Sequence, residues 1–448
     1  MLYSLWRCLL LFIVGSFCAK LNVMLPLWTV SNDGILNEAV TEKFSMLKNL
    51  DVHGVMIDVW WGICEKTPKN YNFEAYKTIA EKCKETGLKM QCVMSFHRCG
   101  GNVGDDYNVS LPSWVTSVSG IWYRDINKKD DLEVVSLAVD NETLFEGRTA
   151  VQLYANFMEA FKEEMKDYLG SVIEEIQVGL GPCGELRYPS YQLDKWTFPG
   201  IGMFQTYSER MIKMFKQASK DAKHSWVTPP SDIGNYNYTP DESPFFRRIN
   251  EVNINEYDRF FLKWYSSILL QHGRSVLTEA VNIFRNNCNN NDGTNVEIAM
   301  KVSGIHWLYR HQSHAAELTA GYNNGKWLGQ NEKDFYTQVA ELCAELGVVL
   351  DFTCFEMSDI EQEPSSMSSP QSLVEQIQKA VRVAGAKMSA ENALERMDRH
   401  GMNRIINNAC NKKTPLEAFT FLRFQEEWIN DTQLSDEIKR LAIILKRC

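Results

Sequence analysis

Short apolar runs alternate along the chain with longer stretches in which apolar residues recur every three or four positions. The runs are Leu21–Leu27, Gly54–Trp60, Lys89–Phe96, Ile173–Val178, Glu297–Val302, Val348–Thr353, Lys387–Ser389 and Phe419–Leu422. Their nearly unbroken hydrophobicity predicts strands covered on both faces, as in a parallel sheet. The helical pattern falls between them, over Ala39–Asn49, Tyr71–Thr86, Ala150–Leu169, Phe204–Ala222, Tyr257–Asn286, Glu332–Leu346 and Leu373–Ala384, with a last short helix at Asp436–Lys446. Strand–helix alternation repeated around eight strands predicts an α/β fold, the closed (β/α)8 TIM barrel. A ninth apolar run, Ser225–Thr228, stops at Pro229-Pro230 and reads as loop, because proline cannot donate to a sheet ladder.

Two connections, Cys99–Thr149 and Tyr188–Glu256, are too long to be simple linkers and are rich in Gly, Pro, Asn and Asp. Long loops on one face of a barrel usually build its binding site. The 448 residues are 44% hydrophobic, enough for one large core. The expected organisation is a single catalytic domain over 20–448, since the short segment after Arg423 leaves no room for an appended carbohydrate-binding domain.

The formal charge of -10, without a basic tract, argues against nucleic acid and anionic membranes as partners. The 12 Trp and 17 Tyr suit a neutral polymer with sugar faces to stack on, although most of them are expected in the core. At the N-terminus a single Arg7, the apolar Leu9–Phe17 and the small residues around Ala19 read as a secretory signal over 1–19, placing the mature protein outside the cell or in an endomembrane lumen. Sequons begin at Asn108, Asn141, Asn237 and Asn430. The 12 cysteines have irregular spacing and no CxxC, which disfavours structural zinc and leaves free thiols and disulfides both open.

Candidate chemistry sits where the strands end. Glu185 lies in the Gly- and Pro-stiffened segment GLGPCGELRYPSY (Gly179–Tyr191) just after a strand, and Glu391 lies in SAENAL (Ser389–Leu394). Two fixed carboxyls at one barrel mouth are what glycosidic bond cleavage requires. Asp58, His97, Lys301, His306, Thr353 and Arg423 end or follow other strands. Singly, each has an ordinary structural reading as a helix cap, a core histidine or an ion pair; together they mark one face. The segment Gly100–Asp105 has neither P-loop nor dinucleotide glycine spacing, and three glycines around Val103 read as a mobile flap that closes over a sugar.

These motifs resemble the β-amylase family of inverting exo-glucanases, from about Leu21 to Arg423. HRCGGNVGD (His97–Asp105) and GLGPCGELRYPSY carry the resemblance, supported by KVSGIHW, DFTCFEM, SAENAL and FTFLRF. It implies Glu185 as general acid and Glu391 as general base, with Asp58, His97, Asp105, Lys301, His306, Thr353, Asn392, Ala393 and Arg423 holding substrate. It also implies release of maltose from the non-reducing ends of starch, glycogen or maltooligosaccharides, with no metal and no cofactor. Cys183, Arg98, Leu308 and Glu395 depart from the usual Ala, Gln, Trp and Pro; the change at Leu308 is expected to weaken a stacking platform. A sugar-binding protein without catalysis and a retaining glycosidase are the alternatives.

Overall fold

All eight apolar runs form strands in the computed structural model of the protein, which describes residues 19–250, 254–286, 296–325, 327–328 and 332–448. In chain order the strands are β1 (Lys20–Met24), β2 (Gly54–Trp60), β3 (Lys89–Ser95), β4 (Trp122–Arg124), β5 (Asp130–Val135), β6 (Ile173–Val178), β7 (Glu297–Val302), β8 (Val349–Phe352), β9 (Lys387–Glu391) and β10 (Ala418–Phe421). β1, β2, β3 and β6 to β10 close a barrel in sequence order, and every neighbouring pair is parallel. The strands differ from expectation mainly at their ends. β1 stops at Met24, and Glu391 is the last residue of β9 instead of following it.

Period-two alternation along each strand turns one set of side chains outward to the helices and the other into the barrel. The inward set is unusually polar. Thr420 donates to Gln91 Oε1 at 3.0 Å from β10 to β3, which are not neighbours, so both side chains point into the lumen. Gln177 Nε2 likewise reaches Asp351 Oδ2 at 2.7 Å, passing over β7. A small apolar cluster of Met24, Met56 and Val93, with Leu422 against it, shares that interior. The main apolar core lies outside, between barrel and helices.

The helices begin where side chains can satisfy free backbone N–H groups. Thr149 and Gln152 form a reciprocal capping box on Ala150–Glu164, and Asn255 caps Glu256–Val281 through Asp258 N. The helix expected from Phe204 starts instead at Glu209, because Ser208 accepts from Met211 N and caps it there.

The loop Cys99–Thr149 holds an unexpected antiparallel hairpin of β4 and β5, whereas Ser225–Thr228 is loop as expected. Ala19, placed at the end of the secretory segment, is 2% exposed and donates to Leu445 O at 3.1 Å. The rest of that segment, 1–18, and Cys288 lie outside the described residues. Among the described cysteines, Cys410 and Cys448 form a disulfide and seven are free thiols, six of them buried. Both kinds of cysteine therefore occur.

Candidate active site

Glu185 owes its position to a turn with little freedom. Cys183 and Gly184 occupy the left-handed region at φ 54 and 76, and Glu185 N donates to Pro182 O at 2.9 Å. At Gly181 an added Cβ would lie 2.5 Å from Glu185 O, so the turn folds back on itself only with glycine there. Leu186 N then binds Lys301 O at 2.9 Å, tying the turn to β7. The Glu185 carboxyl is 8% exposed as a residue, and Arg187 Nε donates to its Oε2 at 2.7 Å. Its Oε1 has no hydrogen bond among the described residues.

Glu391 is fully buried at the end of β9, and Lys301 Nζ lies 3.3 Å from its Oε2. Its other oxygen, Oε1, is buried without a hydrogen-bond partner in the protein. Leaving such an atom unpaired costs about 1–3 kcal/mol, more for a charged group, so its retention marks a place where something else binds. Lys301 faces both carboxyls. Burial opposes its charge, yet Glu391 and then Glu185 outweigh it and hold the ammonium protonated.

Carboxyls continue into the lumen beneath Glu391. Burial, then the charge of Glu391, pushes Asp351 well above the usual carboxylate range. The same two causes raise Glu175 to about 8. Asp351 is therefore held as a neutral acid in the lumen.

The remaining candidates come from other strands and the loops after them. Asp58 receives Ser95 Oγ at 2.8 Å and Arg423 Nη1 at 3.3 Å, closing one side of the mouth. His97 stacks edge-on to Trp60 at 5.2 Å, and burial lowers it to about 4 against the pull of Asp58 and Asp105. Burial takes half-buried His306 to about 4 as well. Both rings are thus neutral near pH 7, and both keep Nδ1 buried without a protein partner. A neutral imidazole nitrogen with no partner suits a sugar hydroxyl. Thr353 Oγ1 accepts from Gly304 N at 2.9 Å.

Three candidates have structural commitments. Asn392 spends its amide on Leu394 O, Leu422 O and Leu422 N, at 2.7 to 2.8 Å, and so joins the ends of β9 and β10. Ala393 N and Leu394 N both donate to buried Glu356. Asp105 Oδ2 accepts from Gly100, Gly101 and Asn102 N at 2.9 to 3.0 Å, which folds the flap around its own carboxylate. Val103 is left 64% exposed, an apolar side chain with no core to join. Leu308 is buried at φ 54.

Sequence reasoning gave no role to Arg187, Asp351, Gln177 or Glu356. Arg187 and Asp351 stood inside the quoted motifs, and Gln177 and Asp351 were polar residues at inward positions of apolar strands. That mismatch was the available signal.

Comparison with known proteins identifies the family. A family model described as glycosyl hydrolase family 14 matches residues 22–446. A β-amylase of Vigna unguiculata is 42% identical over 438 residues, covering 94% of this chain and 86% of the relative. Beta-amylase 5 of Arabidopsis thaliana is 43% identical over 423 residues, covering 90% and 82%. The catalytic domain of β-amylase from Paenibacillus polymyxa superposes with a TM-score of 0.75 at 28% identity, covering 95% of this chain and 98% of that one. A β-galactosidase from Marinomonas ef1, at 9% identity and a TM-score of 0.56, shares the fold alone. With its barrel, its paired carboxyls and these relatives, the chain belongs to glycosyl hydrolase family 14.

Proposed function

We propose that Glu185 is the general acid and Glu391 the general base of the reaction. The chain is an inverting glycosidase of the β-amylase type, hydrolysing starch with release of maltose. One observation carries the assignment of roles: Glu391 Oε1 is buried and unpartnered beside Lys301, whose charge also meets Glu185.

A proton on Glu185 Oε1, the oxygen Arg187 leaves free, passes to the departing glycosidic oxygen. Glu391 Oε1 takes a proton from water attacking the opposite face of the sugar. Inversion needs room for that water, with carboxyls about 6.5–9.5 Å apart. Asp58 and His97 bind hydroxyls of the terminal sugar, and the Arg423–Asp58 contact walls the pocket behind it. A pocket closed at that end accepts only chain ends and cuts in fixed steps. His306 serves the sugars beyond the scissile bond, while the flap with Val103 shuts water out. The polymer is an α-1,4-glucan such as starch, glycogen or a maltooligosaccharide. Chromatography of an early starch digest is expected to show maltose as the small product; glucose or mixed oligosaccharides would contradict this reading.

The N-terminal segment 1–19 acts as a secretory signal in this reading. Its three-part composition supports this, as does the exposure of all four sequon asparagines, Asn108, Asn141, Asn237 and Asn430. Sequencing the mature N-terminus should find it near Ala19, and a retained Met1 would contradict secretion by cleavage.

A further inference from the structure

The helix Glu256–Val281 meets the catalytic turn at two adjacent residues, His272 and Gly273. An added Cβ at Gly273 would meet Leu186 side-chain carbons at 3.1 Å, so the helix backbone rests against the residue after Glu185. His272 reaches the other end of the same turn, where Nε2 lies 3.1 Å from Leu180 O. Its Nδ1 lies 2.7 Å from Asp140 Oδ2. The histidine is 7% exposed and the aspartate 8%.

Both ring nitrogens therefore face acceptors that cannot donate: a backbone carbonyl and a carboxylate. A neutral imidazole has one N–H and satisfies one of them; the imidazolium satisfies both. The groups around Asp140 offer no competing charge. Tyr123 from β4, Tyr154 from Ala150–Glu164 and Tyr188 from the segment after Glu185 are each pushed far up by burial and stay neutral. The aspartate's charge is thus directed at His272.

We propose that His272, held as an imidazolium between Asp140 and the Leu180 carbonyl, is a positioning residue that braces the turn carrying Glu185. The turn needs bracing, because Cys183 and Gly184 are consecutive left-handed residues and nothing repetitive follows them. The brace rests on the reading of Glu185 as the acid.

Its pH dependence follows from the same contacts. Burial works against the charge on His272, but Asp140 and the Leu180 carbonyl outweigh it and raise the group above its ordinary 6.5. A raised histidine contributes stability that is complete below the ordinary value and is lost as pH rises through the folded one.

The test uses the full chain and three measurements. In protein labelled with 15N-histidine, the ring of His272 should carry both N–H protons at pH values above 6.5. That signal should be absent from His272→Gln. His272→Gln should lower kcat by about 10- to 100-fold with KM little changed, as expected for a slightly misplaced acid. Its alkaline limb should also lose the steepness contributed by a second titrating group. If leaving Asp140 unpaired prevents folding, the Asp140→Asn/His272→Gln pair removes both buried charges and should fold. It should show the same lowered kcat and a melting temperature that no longer falls with the histidine.

A singly protonated His272 ring in the wild-type protein below pH 6.5 would overturn the proposal. So would wild-type kcat and pH profile in the double variant. Activity retained in Glu185→Gln would instead remove the reading of Glu185, and would leave the ring signal and the melting behaviour unchanged.

Discussion

Glu185→Gln and Glu391→Gln are each expected to lower kcat on soluble starch by about 10²- to 10⁴-fold, the usual worth of a positioned acid or base. Glutamine keeps the shape and the Arg187 contact at position 185 but has no proton to give the leaving oxygen. At position 391 it keeps the volume but turns the unpartnered acceptor into an amide that cannot take a proton from water. Lys301 then faces no charge at Glu391, and Arg187 none at Glu185, so each variant should also lose some stability. Maltooligosaccharide binding, measured calorimetrically, should survive both changes, because Asp58, His97 and His306 are untouched. Near-normal turnover in either variant would remove that residue from its role.

Lys301→Met is expected to damage both catalysis and stability. Its ammonium is 3.3 Å from a carboxylate whose side chain is wholly buried, and its own side chain is 9% exposed. Breaking a buried pair by removing one partner costs about 3–5 kcal/mol, because the remaining charge keeps its desolvation penalty without compensation. Methionine matches the stem in length and leaves no large void, so the loss would be electrostatic. Turnover should fall by about 10²-fold or more, as when a fixed charge-stabilising group is taken from an active site. Chemical denaturation alongside kinetics checks both. An unchanged midpoint together with an unchanged kcat would show that the Lys301–Glu391 contact has no energetic weight.

The barrel strands were legible because a parallel strand covered on both faces must be apolar almost throughout, and Ile173–Val178 and Glu297–Val302 were read to the residue. The β4–β5 hairpin was not, since its strands are short, half polar and paired with a register shift. For the site, placement at strand ends brought Asp58, His97, Glu185, Lys301 and Arg423 forward, and the resemblance supplied their roles. Local sequence does not reveal which long-range contacts a side chain will make. Gln177 and Asp351 are 174 positions apart and meet only when the barrel closes. Asn392 and Asp105 were expected to hold substrate, but their visible work is to tie strand ends and to fold the flap. Arg187 stood two residues from Glu185 in a quoted motif, yet only the reversal of the Cys183–Gly184 turn shows that its guanidinium meets the acid.

Inversion at the anomeric carbon is the outcome that the Glu185 and Glu391 roles together require. Proton NMR of maltose in the first minutes of hydrolysis, before mutarotation scrambles the product, reads it without assumptions about any single residue. The β-anomer should appear first and the α-anomer only later, by mutarotation. An initial α-anomer would mean a retained configuration and would contradict a water molecule activated by Glu391.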